Sequence, residues 1–270
     1  MTEVLAHEVA GSGPPRTPGW GPALLLVHAG IADRRMWDDQ MGPFADAGWT
    51  VIRADLPGFG ETPAPTGPVA LWATLRDLLD HLGVERAVVA GASLGGRAAV
   101  DLALAAPERV RALVLVGSGL AGHRFQEPAL LELWDQSEGA LDRGDHGEAA
   151  RLEIDTWVVG MGRDPSVVDP EVRRRVRDML LVAYEHGPAD LEEPDPPAAD
   201  RLGEVAAPAL VVVGEHDRPD IHAMAGALAS GIPGAERVLL PGTAHLPNME
   251  QPEEFNRVVL EFLAKVGLSA

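Results

Sequence analysis

A serine between two glycines is the feature of this chain best suited to chemistry. Residues 91–95 read Gly-Ala-Ser-Leu-Gly and follow an apolar run at 86–91, which places Ser93 where a strand turns sharply into a helix. Such a turn holds its central residue in a strained backbone conformation with the hydroxyl exposed, and only small neighbours let strand and helix pass each other. Ser93 is therefore predicted to be the nucleophile of an acyl-transfer reaction.

The helix after this serine and a loop upstream supply candidate donors for the oxyanion of such a reaction. A helix that opens at Leu94 directs its first N–H groups and positive dipole end toward the carbonyl that Ser93 attacks. Upstream, an apolar strand ends in the small-residue loop at 28–30. We expect the backbone N–H groups of Gly30 and Leu94 to form the oxyanion hole, and we interpret His28 as a structural residue of that loop.

A serine nucleophile needs a base within hydrogen-bond reach and a carboxylate that orients the base. Three carboxylates follow the apolar strand predicted at 209–214: Glu215, Asp217 and Asp220. From the residues alone, each of the three is a candidate for the orienting acid. Among the histidines, His216 and His222 lie near this acidic cluster, whereas His245 lies in the loop after the next predicted strand. That position favours His245 as the base.

Strands and helices alternate along most of the chain. Strands are predicted at 23–28, 50–54, 86–91, 110–116, 209–214 and 237–240, and helices near 36–47, 69–82, 94–106, 221–230 and 253–266. This alternation predicts a mostly parallel sheet flanked by helices on both faces. Because ligands bind at the carboxyl ends of parallel strands, Ser93, the acidic cluster and His245 are expected at one edge of the sheet.

The alternation stops at residues 120–201, which contain amphipathic helical stretches at 128–140 and 172–184 but no convincing strand. An all-helical insertion at this place predicts a cap over the pocket. The chain then divides into a core, residues 1–119 and 202–270, and a helical cap, residues 120–201. Candidates for an apolar pocket lining in the cap are Trp134, Trp157, Met161, Met179 and Leu180.

Composition narrows the classes of partner and chemistry. The chain carries 41 acidic and 22 basic residues, a net charge of −19, and no cysteine. Nucleic acid is therefore an improbable partner, and both disulfides and a thiol nucleophile are excluded. The first residues show neither a signal peptide nor an apolar span, so we expect a cytoplasmic protein that binds no membrane. The sequence indicates no oligomeric state.

The motifs taken together resemble the α/β-hydrolase superfamily. The matching stretches lie at 28–30, 55–60, 91–95, 214–217 and 242–245, and they span nearly the whole chain outside the predicted cap. One departure is Ala29, where the family usually has glycine.

This resemblance implies an α/β-hydrolase fold with an eight-stranded, mostly parallel sheet. It also implies a triad in which Ser93 is the nucleophile, His245 the general base and acid, and Asp217 the orienting acid, with no metal or organic cofactor. A serine at the elbow argues against the haloalkane dehalogenases and epoxide hydrolases of the superfamily, which use aspartate there.

Two further segments, 28–37 and 241–255, are similar to enzymes of the 3-oxoadipate enol-lactonase and small-ester hydrolase branch. The function expected is hydrolysis of a small carboxylic ester or lactone through an acyl-enzyme. Alternatives with the same triad are a carbon–carbon bond hydrolase and a biosynthetic cyclase or perhydrolase. An alternative of another class is a ligand receptor with little or no turnover.

Overall fold

A computed structural model describes residues 4–11 and 21–269 of the chain. Its centre is a seven-stranded sheet with the strand order β1-β3-β2-β4-β5-β6-β7. The strands are β1 (His7–Ala10), β2 (Ala23–Val27), β3 (Thr50–Ala54), β4 (Ala87–Ala92), β5 (Val110–Val116), β6 (Ala209–Gly214) and β7 (Glu236–Leu240). Strands β2 to β7 are parallel, and only β1 runs antiparallel, against β3. The α/β-hydrolase architecture expected from the motifs is confirmed.

The strand count differs from the eight that the resemblance implied. Six of the seven strands are those predicted from the apolar runs, and the seventh is the four-residue edge strand β1, which pairs His7 with Ala54. The expectation of eight strands is therefore wrong for the described residues. The stretch between β1 and β2, residues 12–20, lies outside them.

The inner strands are buried on both faces, which explains their composition. Every residue of β2, β3, β4 and β6 is buried, as expected for strands of a parallel sheet that helices cover on both sides. The helices are α1 (Asp38–Asp46), α2 (Leu71–Leu82), α3 (Leu94–Ala105), α4 (Pro128–Asp142), α5 (His146–Glu153), α6 (Pro170–His186), α7 (Pro219–Gly231), α8 (Pro247–Glu250) and α9 (Pro252–Lys265).

Helix α2 shows how the helical pattern translates into packing. Its leucines at 71, 75, 78, 79 and 82 recur at helical spacing, and all five are buried, so one face of the helix lies on the core. The helix ends where Gly83 adopts a φ of 68°, a left-handed conformation that glycine reaches without a steric penalty.

Between β5 and β6 the chain forms α4, α5 and α6 and contributes no strand to the sheet. The helical stretches predicted at 128–140 and 172–184 fall within α4 and α6. Helix α5 and the π-helical turn Ile154–Val159 that follows it were not predicted. In the described part of the chain, no helix is long and apolar enough to cross a membrane.

Candidate active site

Ser93 has the strained backbone that its position between β4 and α3 requires. Its φ of 49° and ψ of −110° make it the only residue other than glycine with a positive φ in the described part of the chain. The Ser93 N–H donates to the Val116 carbonyl at 2.9 Å, and the Ser93 carbonyl accepts from Gly119 N at 2.9 Å. Hydrogen bonds to β5 and the segment after it therefore hold the turn in this conformation.

The glycines on either side of Ser93 are required by close backbone contacts. A Cβ atom on Gly91 would lie 2.3 Å from the Gly95 carbonyl oxygen, and one on Gly95 would lie 2.4 Å from the Val27 carbonyl oxygen. Neither side chain has room, because the atoms in contact belong to the backbone of α3 and of β2. The small residues therefore permit the tight turn.

Asp217 and His245 form a buried pair at the carboxyl ends of β6 and β7. His245 Nδ1 lies 2.8 Å and 3.0 Å from the two carboxylate oxygens of Asp217, and both side chains are almost fully buried. We assign the Nδ1 proton to the bond with Asp217, which leaves Nε2 free to accept a proton. The backbone N–H of Arg218 donates to Asp217 Oδ1 at 2.8 Å and fixes the carboxylate further.

The other two carboxylates of the acidic cluster contact different groups. Glu215 accepts from the Gly242 N–H at 2.8 Å. Asp220 accepts from the N–H groups of Gln126 and Glu127 at 3.0 and 2.9 Å and lies 3.1 Å from His123 Nε2. Burial alone would raise the pKa of Asp220, but these hydrogen bonds hold it below its usual value. Of the three candidates, only Asp217 contacts His245.

Gly117 makes room for this pair, and sequence reasoning missed it. Its φ is 48°, and a Cβ atom there would lie 2.9 Å from His245 Nδ1 and 3.2 Å from an Asp217 carboxylate oxygen. The signal available in the sequence was a glycine directly after the strand at 110–116.

His28 stabilises the loop that brings Gly30 beside Leu94. Its Nδ1 donates to the Ala29 carbonyl at 2.8 Å, and its Nε2 accepts from the Leu56 N–H at 2.8 Å. Burial lowers the pKa of His28, so the ring is neutral. The His28 carbonyl accepts from Gly95 N at 3.1 Å, and a Cβ atom on Gly30 would lie 3.7 Å from the Leu94 side chain. The two expected oxyanion donors are therefore neighbours.

Asp55 stabilises the segment that follows this loop, at Arg34, and its own turn, at Glu61. It is fully buried and accepts from the N–H groups of Arg34 at 2.8 Å and Glu61 at 2.9 Å, and it also pairs with the Arg34 guanidinium. The turn at 55–60 includes Gly60, where a Cβ atom would collide with the Asp55 carboxylate. The acid and the glycine of this motif thus hold the loop in place and do not face the candidate site.

Ser93 and His245 line one cavity of about 260 Å³. Its other lining residues are Gly30 and Ile31 from the loop after β2, and Trp134, Glu153, Trp157, Leu180 and Tyr184 from the helical insertion. The insertion therefore covers the carboxyl edge of the sheet at the point where the triad candidates meet.

Two more cavities adjoin this one. A mostly apolar cavity of about 500 Å³ shares Gly30, Leu180 and Tyr184 with it. A third cavity, of about 670 Å³, also reaches Ser93 and is lined by Arg97 and Arg124. Glu193 and Asp200 also line the third cavity, and Arg97 pairs with Glu193 at 2.7 Å. A substrate bound at Ser93 thus has an apolar space on one side and side chains of both charges on the other.

The structure corrects part of the predicted pocket lining. Trp134, Trp157 and Leu180 line the Ser93 cavity, but Met161 does not. Met161 is 40% exposed, because its backbone N–H bonds to the His216 carbonyl at 2.8 Å and directs the segment over the surface. Met179 is buried away from the cavity, where its sulfur accepts from the Asp33 N–H.

The π-helical turn of the insertion contacts His245 directly. The Trp157 ring lies 4.6 Å from the His245 ring, centroid to centroid, with an interplanar angle of 40°. The Trp157 carbonyl accepts the backbone N–H of His245 at 3.2 Å. The insertion therefore positions the candidate base as well as covering it. π-helical turns within α-helices are frequent at functional sites.

A buried ion pair extends this contact. Arg163, which follows the π-helical turn, donates to Glu250 at 2.6 Å and to the Gly242 carbonyl at 2.9 Å. Glu250 in turn accepts from the Ala244 N–H at 2.7 Å. Burial raises the pKa of Glu250, so the Arg163 cation is needed to favour its charged form. These bonds hold both ends of the loop that carries His245.

A family model described as the alpha/beta hydrolase fold matches residues 22–252 of the chain. The chain is 32% identical over 255 residues to a 2-hydroxy-6-oxononadienedioate/2-hydroxy-6-oxononatrienedioate hydrolase of Paraburkholderia phymatum, which covers 90% of this chain and 87% of the relative.

Two solved structures are also similar. A thermophilic esterase of Thermogutta terrifontis matches with a TM-score of 0.79 and 32% identity, over 97% of this chain and 93% of the esterase. An enol-lactonase of Burkholderia xenovorans matches with a TM-score of 0.79 and 26% identity, over 96% of each chain.

Proposed function

The chain belongs to the alpha/beta hydrolase fold family and is a hydrolase, and from this premise we propose that it cleaves small carboxylic esters or lactones through an acyl-enzyme on Ser93. The observation that carries this proposal is the shared cavity of Ser93 and His245, with His245 bonded to Asp217. A hydroxyl, a base and an orienting acid in this order form the arrangement that activates a serine.

In the proposed mechanism, His245 Nε2 takes the Ser93 proton as Oγ attacks the substrate carbonyl. The N–H groups of Gly30 and Leu94 stabilise the oxyanion, and Asp217 stabilises the imidazolium. The proton on Nε2 passes to the departing alkoxide oxygen, which leaves an acyl-Ser93. A water molecule that His245 deprotonates then attacks this ester, and the regained proton returns to Ser93 Oγ as the acid leaves.

The lining of the cavities supports an uncharged acyl group. Among the described residues, no lysine or arginine lines the 260 Å³ or the 500 Å³ cavity, and Glu138 and Glu153 contribute carboxyl groups. A carboxylate in this space would therefore be desolvated without a cationic partner, which is unfavourable. The names of the structurally similar esterase and enol-lactonase agree with an ester or lactone as the substrate.

We further propose that residues 120–201 act as a cap and residues 1–119 and 202–270 as the catalytic core. The insertion supplies Trp134, Trp157, Leu180 and Tyr184 to the Ser93 cavity, whereas the core supplies Ser93 and His245. The part that shapes the substrate space is therefore separate in sequence from the part that carries the reacting groups.

Hydrolysis of a panel of p-nitrophenyl esters and lactones by the wild type and Ser93→Ala tests the mechanism. We expect Ser93→Ala to lower kcat by about three orders of magnitude or more, with unchanged circular dichroism, because the triad acts as a unit. A fluorophosphonate label should appear on Ser93 by mass spectrometry. Full esterase activity in Ser93→Ala would contradict the mechanism.

A second candidate function is hydrolysis of a carbon–carbon bond in an acidic dienoate. The third cavity favours it, because Arg124 lines a space that reaches Ser93 and offers a cation to a carboxylate, and the relative from Paraburkholderia phymatum bears such a name. Loss of the visible absorbance of 2-hydroxy-6-oxo-6-phenylhexa-2,4-dienoate measures this activity. Turnover that exceeds that of every ester, and that falls in Arg124→Gln, would favour the carbon–carbon reaction.

A further inference from the structure

Two polar side chains that the mechanism does not use face the cavity of Ser93 and His245. Glu153 ends α5, and Tyr184 lies in α6; both line this cavity. Its remaining lining consists of Gly30, Ile31, Trp134, Trp157 and Leu180. Apart from the reacting groups and the indole N–H groups, a substrate there meets only these two polar side chains among the described residues.

The carboxyl group of Glu153 has neutral neighbours. Its Oε2 accepts from the Trp157 indole N–H at 2.9 Å, and it also bonds to Ser137. Burial raises the pKa of Glu153, since neither neighbour carries a compensating positive charge. A carboxyl group that lines a cavity in this way retains an oxygen able to accept a hydrogen bond from a ligand.

The hydroxyl of Tyr184 is buried and has no hydrogen-bond partner among the described residues. Burial, together with the nearby Glu153 carboxylate, raises the pKa of Tyr184, so this hydroxyl keeps its proton and acts as a donor. An unpaired buried hydroxyl destabilises a protein. A ligand atom that accepts from Tyr184 would remove that penalty.

A donor and an acceptor that line the same cavity are complementary to one functional group in particular. A substrate hydroxyl accepts a hydrogen bond from Tyr184 and donates one to Glu153, and it satisfies both groups without adding charge. A substrate carboxylate in the same place would face Glu153 without a compensating cation, since among the residues that the structure describes Glu153 hydrogen-bonds only to Ser137 and Trp157.

We propose that Glu153 and Tyr184 form a subsite for a hydroxyl group on the substrate's acyl chain, so that hydroxyacyl esters are preferred over alkyl and carboxyalkyl esters. This inference rests on the proposed ester hydrolysis and names its substrate class. Sites built to hydrogen-bond a substrate hydroxyl discriminate strongly against analogues without it, because the unpaired groups of the site are then left buried.

The test compares kcat/KM for p-nitrophenyl hexanoate with its 3-hydroxy and 6-hydroxy forms and with mono-p-nitrophenyl adipate, whose chain ends in a carboxylate. We expect the wild type to prefer one of the hydroxy esters over hexanoate by about tenfold or more, which corresponds to about 1.4 kcal/mol. The adipate ester should be the poorest of the four. An equal rate on hexanoate and on both hydroxy esters would overturn the subsite.

Tyr184→Phe removes only the hydroxyl and should reduce the hydroxy-to-hexanoate ratio about tenfold, mainly through KM. Glu153→Leu should reduce the ratio similarly, whereas Glu153→Gln keeps a donor and an acceptor and should retain most of it. Glu132→Gln, at an exposed position of α4, is the matched control and should leave all four rates unchanged. A ratio that stays the same in Tyr184→Phe would overturn the proposal.

The two proposals fail in different ways. Turnover of esters with label on Ser93, but with a ratio insensitive to Tyr184→Phe and Glu153→Leu, overturns the hydroxyl subsite alone. No turnover of any ester and no label on Ser93 overturns the proposed function, and the subsite with it.

Discussion

Ser93 adopts its strained backbone conformation because the tight turn between β4 and α3 requires it. Gly91 lies against the backbone of α3 at Gly95, and Gly95 lies against the carbonyl oxygens of Val27 and His28 at the end of β2. The strain at the serine and the absence of side chains at the glycines thus both follow from the close approach of α3 to β4 and β2.

Substitution at one of these glycines should therefore be severe. In Gly95→Ala, the new methyl group would lie 2.4 to 2.6 Å from the carbonyl oxygens of Val27 and His28, and we expect a loss of stability of about 3 kcal/mol or more together with loss of activity. Gly226→Ala in the middle of α7 is the control, since its nearest atom lies 4.0 Å away. It should stabilise the protein by about 0.5–1 kcal/mol. Urea unfolding measures both, and equal effects would contradict this account.

Individual residues of the site differ in how far the sequence predicts them. Ser93 and His245 follow from a motif and a position after a strand. Asp217 is one of three nearby carboxylates, and the choice needed the family resemblance before the contact with His245 appeared. No sequence motif marks Glu153 or Tyr184, because two separate helices bring them to the cavity. The interest of Tyr184 depends on its hydroxyl having no hydrogen-bond partner among the described residues, which the sequence does not reveal.

At the scale of elements, the segment after α5 and the loop after β7 form one unit. Trp157 contacts His245 through its ring and its carbonyl, and Arg163 bonds to Gly242 and Glu250. Loss of the arginine leaves Glu250 buried without its cation, which costs about 3–5 kcal/mol for a buried pair.

Arg163→Met should therefore lower both stability and turnover. We expect a clear fall in Tm and a reduction in kcat of about tenfold, since the loop that carries His245 loses its bonds to the insertion. Arg174→Met is the matched control, because Arg174 pairs with Glu171 and Asp178 on the exposed face of α6, and exposed pairs contribute at most about 1 kcal/mol. If both variants lose kcat equally, Arg163 does not act through the loop.

Helix α3 carries a carboxyl group, that of Asp101, whose titration should make the free energy of unfolding depend on pH. Burial raises the pKa of Asp101 to about 6, since Arg97 at 3.9 Å compensates only in part and Glu193 adds negative charge. The folded protein then binds this proton more tightly than the unfolded chain does, so stability falls as the pH rises from about 4 to about 6.

Asp101→Asn removes this titration. Relative to the wild type, the variant should gain about 2–3 kcal/mol in free energy of unfolding between pH 4 and pH 7.5. Urea unfolding at the two pH values measures the change, with Asp135→Asn at an exposed position of α4 as the control. A difference between variant and wild type that does not depend on pH would contradict the assignment.

The elements themselves were largely predictable, and the exceptions have physical reasons. Strands β2, β4 and β6 are continuous apolar runs because helices cover both faces of the sheet. Strand β1 lies at the edge and is partly exposed, so its four residues show no such run. Helix α5 and the π-helical turn were missed because α5 has eight residues and the turn departs from the 3.6-residue period.

At the scale of the whole molecule, the net charge of −19 should influence which substrates reach the site. A strongly negative protein lowers the local concentration of anions, and salt screens this effect. We expect kcat/KM for mono-p-nitrophenyl adipate to rise about two- to threefold between 10 mM and 300 mM sodium chloride, while the value for p-nitrophenyl hexanoate stays constant. Parallel responses of the two esters would show that the net charge has no part in substrate choice.

The contacts between the insertion and the His245 loop also bear on engineering by segment exchange. A chimera that replaces residues 120–201 with the corresponding segment of a relative would remove Trp157 and Arg163 along with the pocket lining, and with them the groups that hold the histidine. Substrate range in this chain therefore cannot be exchanged independently of catalysis. A graft must keep residues 157–163 or match them to a new His245 loop. Without that, a change in specificity cannot be distinguished from a loss of activity caused by a displaced His245.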